Sequence, residues 1–202
     1  QSGGPTAAIN ATLAGVIKGA LECDAINTLY GMRNGIEGML GERMIELSKR
    51  FEGGKDLDAL IHTPAAALGS CRKKLPNPDS DKAEDIAFFE KVFEIFEKYD
   101  IRYFFYIGGN DSMDTVAKLS RYAEKKSYEI RVMGVPKTID NDLLGTDHCP
   151  GYGSCAKYIA TVVSEMALDA GCYDIKNVLI VEIMGRNAGW LTASAALART
   201  MG

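Results

Sequence analysis

Apolar residues in this chain follow two periods. Short runs of β-branched and aromatic residues alternate with longer stretches in which apolar side chains return every three or four positions. Residues 101–107 and 130–135 are runs of the first kind and predict buried strands, the second closed by Pro136. Residues 178–184 form a near-continuous apolar run and predict a further strand. Residues 25–30 read as a strand before a glycine-marked turn, and residues 43–47 as a short strand or bend. Helical spacing is clearest in Ile86, Phe89, Val92, Phe93 and Phe96, where the aromatic residues read as core. The same spacing predicts helices through Ile9, Leu13, Val16 and Ile17, through Met113, Val116, Ala117 and Leu119, and through Tyr158, Ile159, Val162, Val163 and Met166. Residues 55–61 are a weaker helical candidate, and residues 76–80 a loop too short to link domains. Strands separated by helices imply an α/β fold with a mainly parallel sheet and helices on both faces, a Rossmann-like three-layer sandwich.

The polar residues that matter lie where these strands end. In open α/β sheets the ligand crevice lies outside the carboxyl ends of the strands. After residues 130–135 come Lys137, Thr138, Ile139, Asp140, Asn141 and Asp142, which put a cation, a hydroxyl and two acids on one turn. Two acids two positions apart can serve as a proton acceptor and a metal ligand, or the turn can simply cap the next helix. After residues 101–107 come Gly108, Gly109, Asn110, Asp111 and Ser112 and then a helix. Glycines let backbone approach an anion, and a helix start attracts it through free N–H groups and the dipole; Asp111 or Ser112 could equally be a plain cap. Ser2, Gly3, Gly4, Pro5 and Thr6 repeat the arrangement ahead of the first helix, with Pro5 suited to its first turn. No strand stands before this loop in the sequence, which leads us to expect a fragment. Arg186, in the turn after residues 178–184, offers a planar fork suited to bidentate phosphate binding, against the plainer reading of a surface arginine.

Together these residues resemble the phosphofructokinase family over essentially the whole chain. The resemblance rests on Gly3-Gly4-Pro5, Gly69-Ser70-Cys71-Arg72, Gly108-Gly109-Asn110-Asp111-Ser112, the turn from Pro136 to Asp142, and Met184-Gly185-Arg186, in that order. It implies that residues 1–202 are the phosphoryl-donor-binding and catalytic domain, the amino-terminal domain of that fold, without its first strand and carboxyl-terminal half. It further implies transfer of a phosphoryl group to the 1-hydroxyl of fructose 6-phosphate, with Asp140 as general base and Lys137, Thr138 and Arg186 around the transferring group. Gly3, Gly4, Arg72, Gly109, Asp111 and Ser112 would bind the donor. Thr138, Ile139, Asp140, Met184, Gly185 and Arg186 would bind the sugar phosphate, and Asn110, Asp111 and Asp142 would serve Mg2+.

In the family, ATP-using members carry glycine at the positions of Asp111 and Lys137, whereas pyrophosphate-using members carry an acid and a lysine. Side chains there occupy space a nucleotide needs, and Lys137 adds a compact cation for a bare second phosphate. The resemblance therefore implies inorganic pyrophosphate as donor. An ATP-dependent 6-phosphofructokinase and a non-catalytic regulatory subunit of the same fold are the alternatives. This chain departs from the family at Asn110, commonly an aspartate, and near Lys176, where some relatives place an arginine that reaches a neighbouring subunit's sugar site.

A net charge of −4 and a pI of about 5.3 give no long basic stripe, which argues against a nucleic-acid or membrane-surface role. Cys23, Cys71, Cys149, Cys155 and Cys172 form neither a disulfide framework nor paired metal-ligand spacing, and a reducing cytoplasm is the expected home. No apolar run approaches a membrane span. The dinucleotide Gly-x-Gly-x-x-Gly turn is absent, which disfavours a dehydrogenase. His148 borders the acidic turn in sequence, with a structural role favoured, and the full-length protein is expected to be a homo-oligomer.

Overall fold

The structure, a computed structural model, describes residues 1–6 and 8–200. Its helices are α1 (Ala8–Leu21), α2 (Gly35–Leu40), α3 (Leu47–Arg50), α4 (Leu57–His62), α5 (Ala83–Lys98), α6 (Asn110–Lys126), α7 (Tyr152–Ala170) and α8 (Trp190–Ser194). Its strands are β1 (Tyr30–Met32), β2 (Met44–Glu46), β3 (Tyr103–Gly108) and β4 (Arg131–Pro136). The chain divides into two compact units, Gln1–Lys137 and the residues from Thr138 onward.

In the first unit β3 and β4 pair in parallel, from Tyr103 opposite Arg131 to Gly108 opposite Pro136. Side chains alternate across a strand, so successive residues of β3 enter different layers. Phe104 and Tyr106 point into a core shared with α5 and α6, where Phe89, Val92, Phe93, Phe96 and Leu119 are buried. Ile107 joins the other core, built on Ile9, Leu13 and Ile17 of α1 together with Leu47 and Leu60. The parallel pair is thus covered by helices on both faces, the α/β layering implied by the chain's periodicity.

The α5 stripe forms because its apolar residues return at helical spacing onto one face. Glu84 and Asp85 in its first turn and Lys98 in its last complement the helix dipole. Phe93 and Phe96 meet edge to face at 5.2 Å, and Phe89 stacks on Tyr122 of α6 at 4.6 Å. Such contacts add about 0.5–1.5 kcal/mol per pair beyond burial. Tyr122 also donates to Glu90, which Lys126 reaches at 2.7 Å, so a polar network closes the rim of this core. Burial and the bond to Glu90 push the Tyr122 phenol up to about 12.

Two expectations change. Residues 25–30 do not form a strand through their length: β1 begins at Tyr30 and pairs antiparallel with β2, so this sheet is not parallel. Residues 178–184 hold no strand at all, and Val178 and Ile180 are 90% and 89% exposed. A β-branched run encodes extended backbone, but a strand also needs a neighbour for its N–H and C=O groups. In the second unit α7 packs against α8 and the turn Ala195–Thr200.

Candidate functional site

The glycine turns of the first unit converge. The amide of Ser2 donates to the Ile107 carbonyl at 2.9 Å, which lays the chain start against the end of β3. The next amide, of Gly3, donates to the Cys71 carbonyl at 2.9 Å, and the Ser70 hydroxyl donates to the Gly3 carbonyl. Those bonds tie the turn at residues 2–4 to the turn at residues 69–72. A third tie is made at the start of α6, where Ser2 Oγ and Ser112 Oγ lie 2.5 Å apart in a buried contact. Gly108 makes this possible: a Cβ there would stand 1.9 Å from Ser112 Oγ and 2.5 Å from Ser112 Cβ. Gly3 adopts φ +76, a left-handed conformation that favours glycine.

Lys137 enters the same cluster from the end of β4. Its amide donates to the Gly108 carbonyl at 2.9 Å, its side chain is 4% exposed, and its ammonium donates to the Gly4 carbonyl. A Cβ on Gly3 would come to 3.7 Å from Lys137 Nζ and 3.9 Å from the Gly109 amide nitrogen. A Cβ on Gly4 would come to 3.7 Å from Arg72 Nη2. The structure therefore brings Gly3, Gly4, Arg72, Gly109 and Lys137 to one place beside the start of α6. Arginine, lysine and a helix amino terminus give that place a positive local field in a chain whose net charge is −4.

The remaining donor-side residues stand at its edge. Ser112 is buried with its hydroxyl turned to Ser2, whereas Asn110 and Asp111 are exposed on the first turn of α6. Asp111 lies 3.5 Å from Lys74, an exposed pair worth little to stability. The Lys73 ammonium sits over the Phe88 ring at 5.4 Å, which occupies it away from the glycine turns. A cleft of about 640 Å3 beside β3, lined by residues such as Leu13, Val16, Leu29 and Phe105, includes none of Gly3, Gly4, Arg72 or Lys137. Its wall mixes apolar side chains with charges of both signs, Asp100, Arg102, Glu129 and Arg131.

In the second unit the acidic turn is internally braced. Thr138 Oγ1 accepts the Asp140 amide at 3.1 Å. Asn141, with φ +55 and 9% exposure, accepts the Cys149 amide on its Oδ1 at 2.8 Å and donates through Nδ2 to the Asp147 carbonyl at 3.4 Å. Burial, and then the charge of Asp140, push the Cys155 thiol of α7 above its ordinary value. His148 packs edge to face on Tyr152 at 5.4 Å. Met184 and Arg186 are exposed and flank Gly185, whose added Cβ would lie 2.3 Å from the Ala188 carbonyl oxygen.

Sequence reasoning overlooked Asn141 as more than a turn residue. The signal was available: asparagine tolerates left-handed backbone and carries both a donor and an acceptor. No group of three or more His, Cys, Asp or Glu able to hold a metal occurs among the described residues. No helix among them is long and apolar enough to cross a membrane.

Residues 1–201 match the family described as Phosphofructokinase. The chain is 47% identical over 201 residues to the pyrophosphate–fructose 6-phosphate 1-phosphotransferase of Halomonas elongata, covering 98% of this chain and 46% of that protein. It is 50% identical over 200 residues to the enzyme of the same description from Xanthomonas campestris pv. campestris, again over 98% of this chain and 46% of the relative. The crystal structure of a pyrophosphate-dependent phosphofructokinase from Nitrosospira multiformis superimposes with a TM-score of 0.86 at 43% identity, over 98% of this chain and 48% of that one. The chain thus spans about half the length of the curated relatives it matches.

Proposed function

Because the chain belongs to the phosphofructokinase family, we propose that residues 1–202 are the donor-binding and catalytic domain of an enzyme that phosphorylates fructose 6-phosphate from pyrophosphate. The observation that carries the donor assignment is Lys137. Its ammonium is buried at the glycine turns and fixed on the Gly4 carbonyl, beside Gly3. A compact cation held there suits a small, highly charged donor and takes up room that a nucleotide would need. The named relatives, described as pyrophosphate-using enzymes, support the same reading.

Phosphoryl transfer depends mainly on positioning and charge stabilisation. The 1-hydroxyl oxygen of fructose 6-phosphate attacks the near phosphorus of pyrophosphate. A new O–P bond forms, the bridging O–P bond breaks, and orthophosphate leaves with the electron pair of that bond. Asp140 accepts the hydroxyl proton as general base. Lys137 and Arg72, with the backbone at Gly3, Gly4 and Gly109 and the start of α6 at Asp111 and Ser112, hold the donor's charge. Thr138 and Arg186 steady the transferring group, the arginine through its two-pronged fork. Ile139, Met184 and Gly185 shape the sugar-phosphate pocket with them.

Mg2+ fits the donor chemistry of this chain. Asn110, Asp111 and Asp142 offer hard oxygen atoms, and magnesium commonly takes one or two carboxylates while keeping waters and substrate phosphates as its other ligands. When bound, the ion would neutralise phosphate charge. We further propose a cytoplasmic, homo-oligomeric full-length enzyme. The test is phosphorylation of fructose 6-phosphate by that enzyme with Mg2+, pyrophosphate and ATP compared at equal concentration. Turnover with pyrophosphate alone is expected; turnover with ATP alone would overturn the donor assignment.

A further inference from the structure

We propose that Asn141 is a positioning residue, whose side chain pins the acidic turn to the start of α7 and so sets where Asp140 stands. This rests on the reading of Asp140 as general base. The turn has a tether on each side. Before the acid, Thr138 Oγ1 accepts the Asp140 amide at 3.1 Å. After it, Asn141 Oδ1 accepts the Cys149 amide at 2.8 Å in a buried bond. Cys149 is itself 0% exposed, and its carbonyl accepts the Tyr152 amide at 3.1 Å, the first residue of α7. The tether therefore runs from the acidic turn into a helix of 19 residues.

Asn141 lies between Asp140 and Asp142, and adjacent Cα atoms are about 3.8 Å apart, so fixing its backbone and side chain restricts both acids. Asparagine suits the position on three counts. It tolerates φ +55, it offers an acceptor and a donor on one side chain, and it adds no charge between two carboxylates. The Nδ2 contact to Asp147 at 3.4 Å is long, so the bond to Cys149 is the principal tether. Catalysis feels such placement strongly: a misplacement of about 1 Å costs on the order of a hundredfold.

Two replacements separate the side chain from the backbone. Asn141→Gly removes both hydrogen bonds but is at ease in left-handed backbone, whereas Asn141→Ala removes them and adds strain. Measured in the full-length enzyme below the melting temperature, both are expected to lower kcat by about 10- to 100-fold while KM for fructose 6-phosphate and pyrophosphate stays within about twofold of the parent. The alanine variant should also melt lower than the glycine variant. A glycine variant with parental kcat would overturn the inference, because backbone conformation alone would then suffice. Loss of activity wholly accounted for by the unfolded fraction would also overturn it. Asp140→Asn, run in parallel, distinguishes the two levels. If it keeps parental turnover, the base assignment fails and this inference with it. If it is inactive while Asn141→Gly is not, only the inference about Asn141 fails.

Discussion

Replacing Gly108 by alanine tests whether the end of β3 is built around the contact between Ser2 and Ser112. The added Cβ would lie 1.9 Å from Ser112 Oγ, 2.5 Å from Ser112 Cβ and 2.8 Å from Ser2 Oγ. Rotating the two hydroxyls relieves the first and third contacts but not the second, since Ser112 Cβ is fixed to the backbone of α6. The helix start must therefore move, and the Ser2 to Ser112 hydrogen bond goes with it. That bond is worth about 1 kcal/mol net, and forcing a methyl group into a filled site costs about 1–3 kcal/mol. The sum is about 2–4 kcal/mol, or on the order of 10 °C in melting temperature for a chain of this size. Urea denaturation followed by circular dichroism measures it. Adding Ser112→Gly to Gly108→Ala removes both crowded atoms and should recover part of the loss, despite the cost of glycine within a helix. A Gly108→Ala protein within about 0.5 kcal/mol of the parent would refute the packing argument. Because α6 begins at the residues proposed to hold the donor, the substitution should, on that proposal, also raise KM for pyrophosphate.

Other outcomes follow from the same contacts. Lys137→Met keeps the length of the side chain and removes its charge, and kcat/KM for pyrophosphate should drop by about 10²–10³, the usual effect of losing one preorganised stabilising group; steady-state kinetics with fructose 6-phosphate in excess reads it. Phe96→Ala empties a site in the α5 core where Phe96 is 0% exposed, and should cost about 3–5 kcal/mol by urea denaturation. Hydrogen bonds from Lys126 and then Tyr122 hold the Glu90 carboxyl below its ordinary value. The folded value is the lower one, so this contribution is present above the unfolded value of about 4.3 and is lost as pH falls through the folded value. Glu90→Gln should therefore be less stable than the parent at neutral pH, with the gap closing in acid; since the Glu90 side chain is 45% exposed, solvent screening keeps the gap small, and a gap that widens in acid would contradict the assignment.

Much of the fold follows from local pattern. Residues 101–107 and 130–135 correspond to β3 and β4 within a residue or two at each end, and Phe89, Val92, Phe93 and Phe96 face the core as their spacing implies. These segments carry their own periodicity, and their partners lie nearby in the chain. Residues 178–184 show where such reasoning stops: β-branched residues make extended backbone favourable, but ladder partners come from elsewhere, and no periodicity encodes them. At the site, the glycine turns were legible because few residues other than glycine permit close backbone approach. The burial of Lys137 against the Gly4 carbonyl was not, since residues 4 and 137 meet only through the tertiary fold. The tether from Asn141 to Cys149 was hidden for a different reason, because a polar side chain in a turn looks the same in sequence whether it meets water or a buried amide.

The parallel register that sets Gly108 opposite Pro136 works as a ruler. It brings the double-glycine turn and Lys137 to the same height at the end of two neighbouring strands, and the bond from the Lys137 amide to the Gly108 carbonyl marks the last graduation. Sliding β4 by one residue would turn the lysine to the opposite face. Lengthening or shortening either strand by one residue would likewise carry the lysine away from the double-glycine turn, whatever side chains stand at 111 and 137.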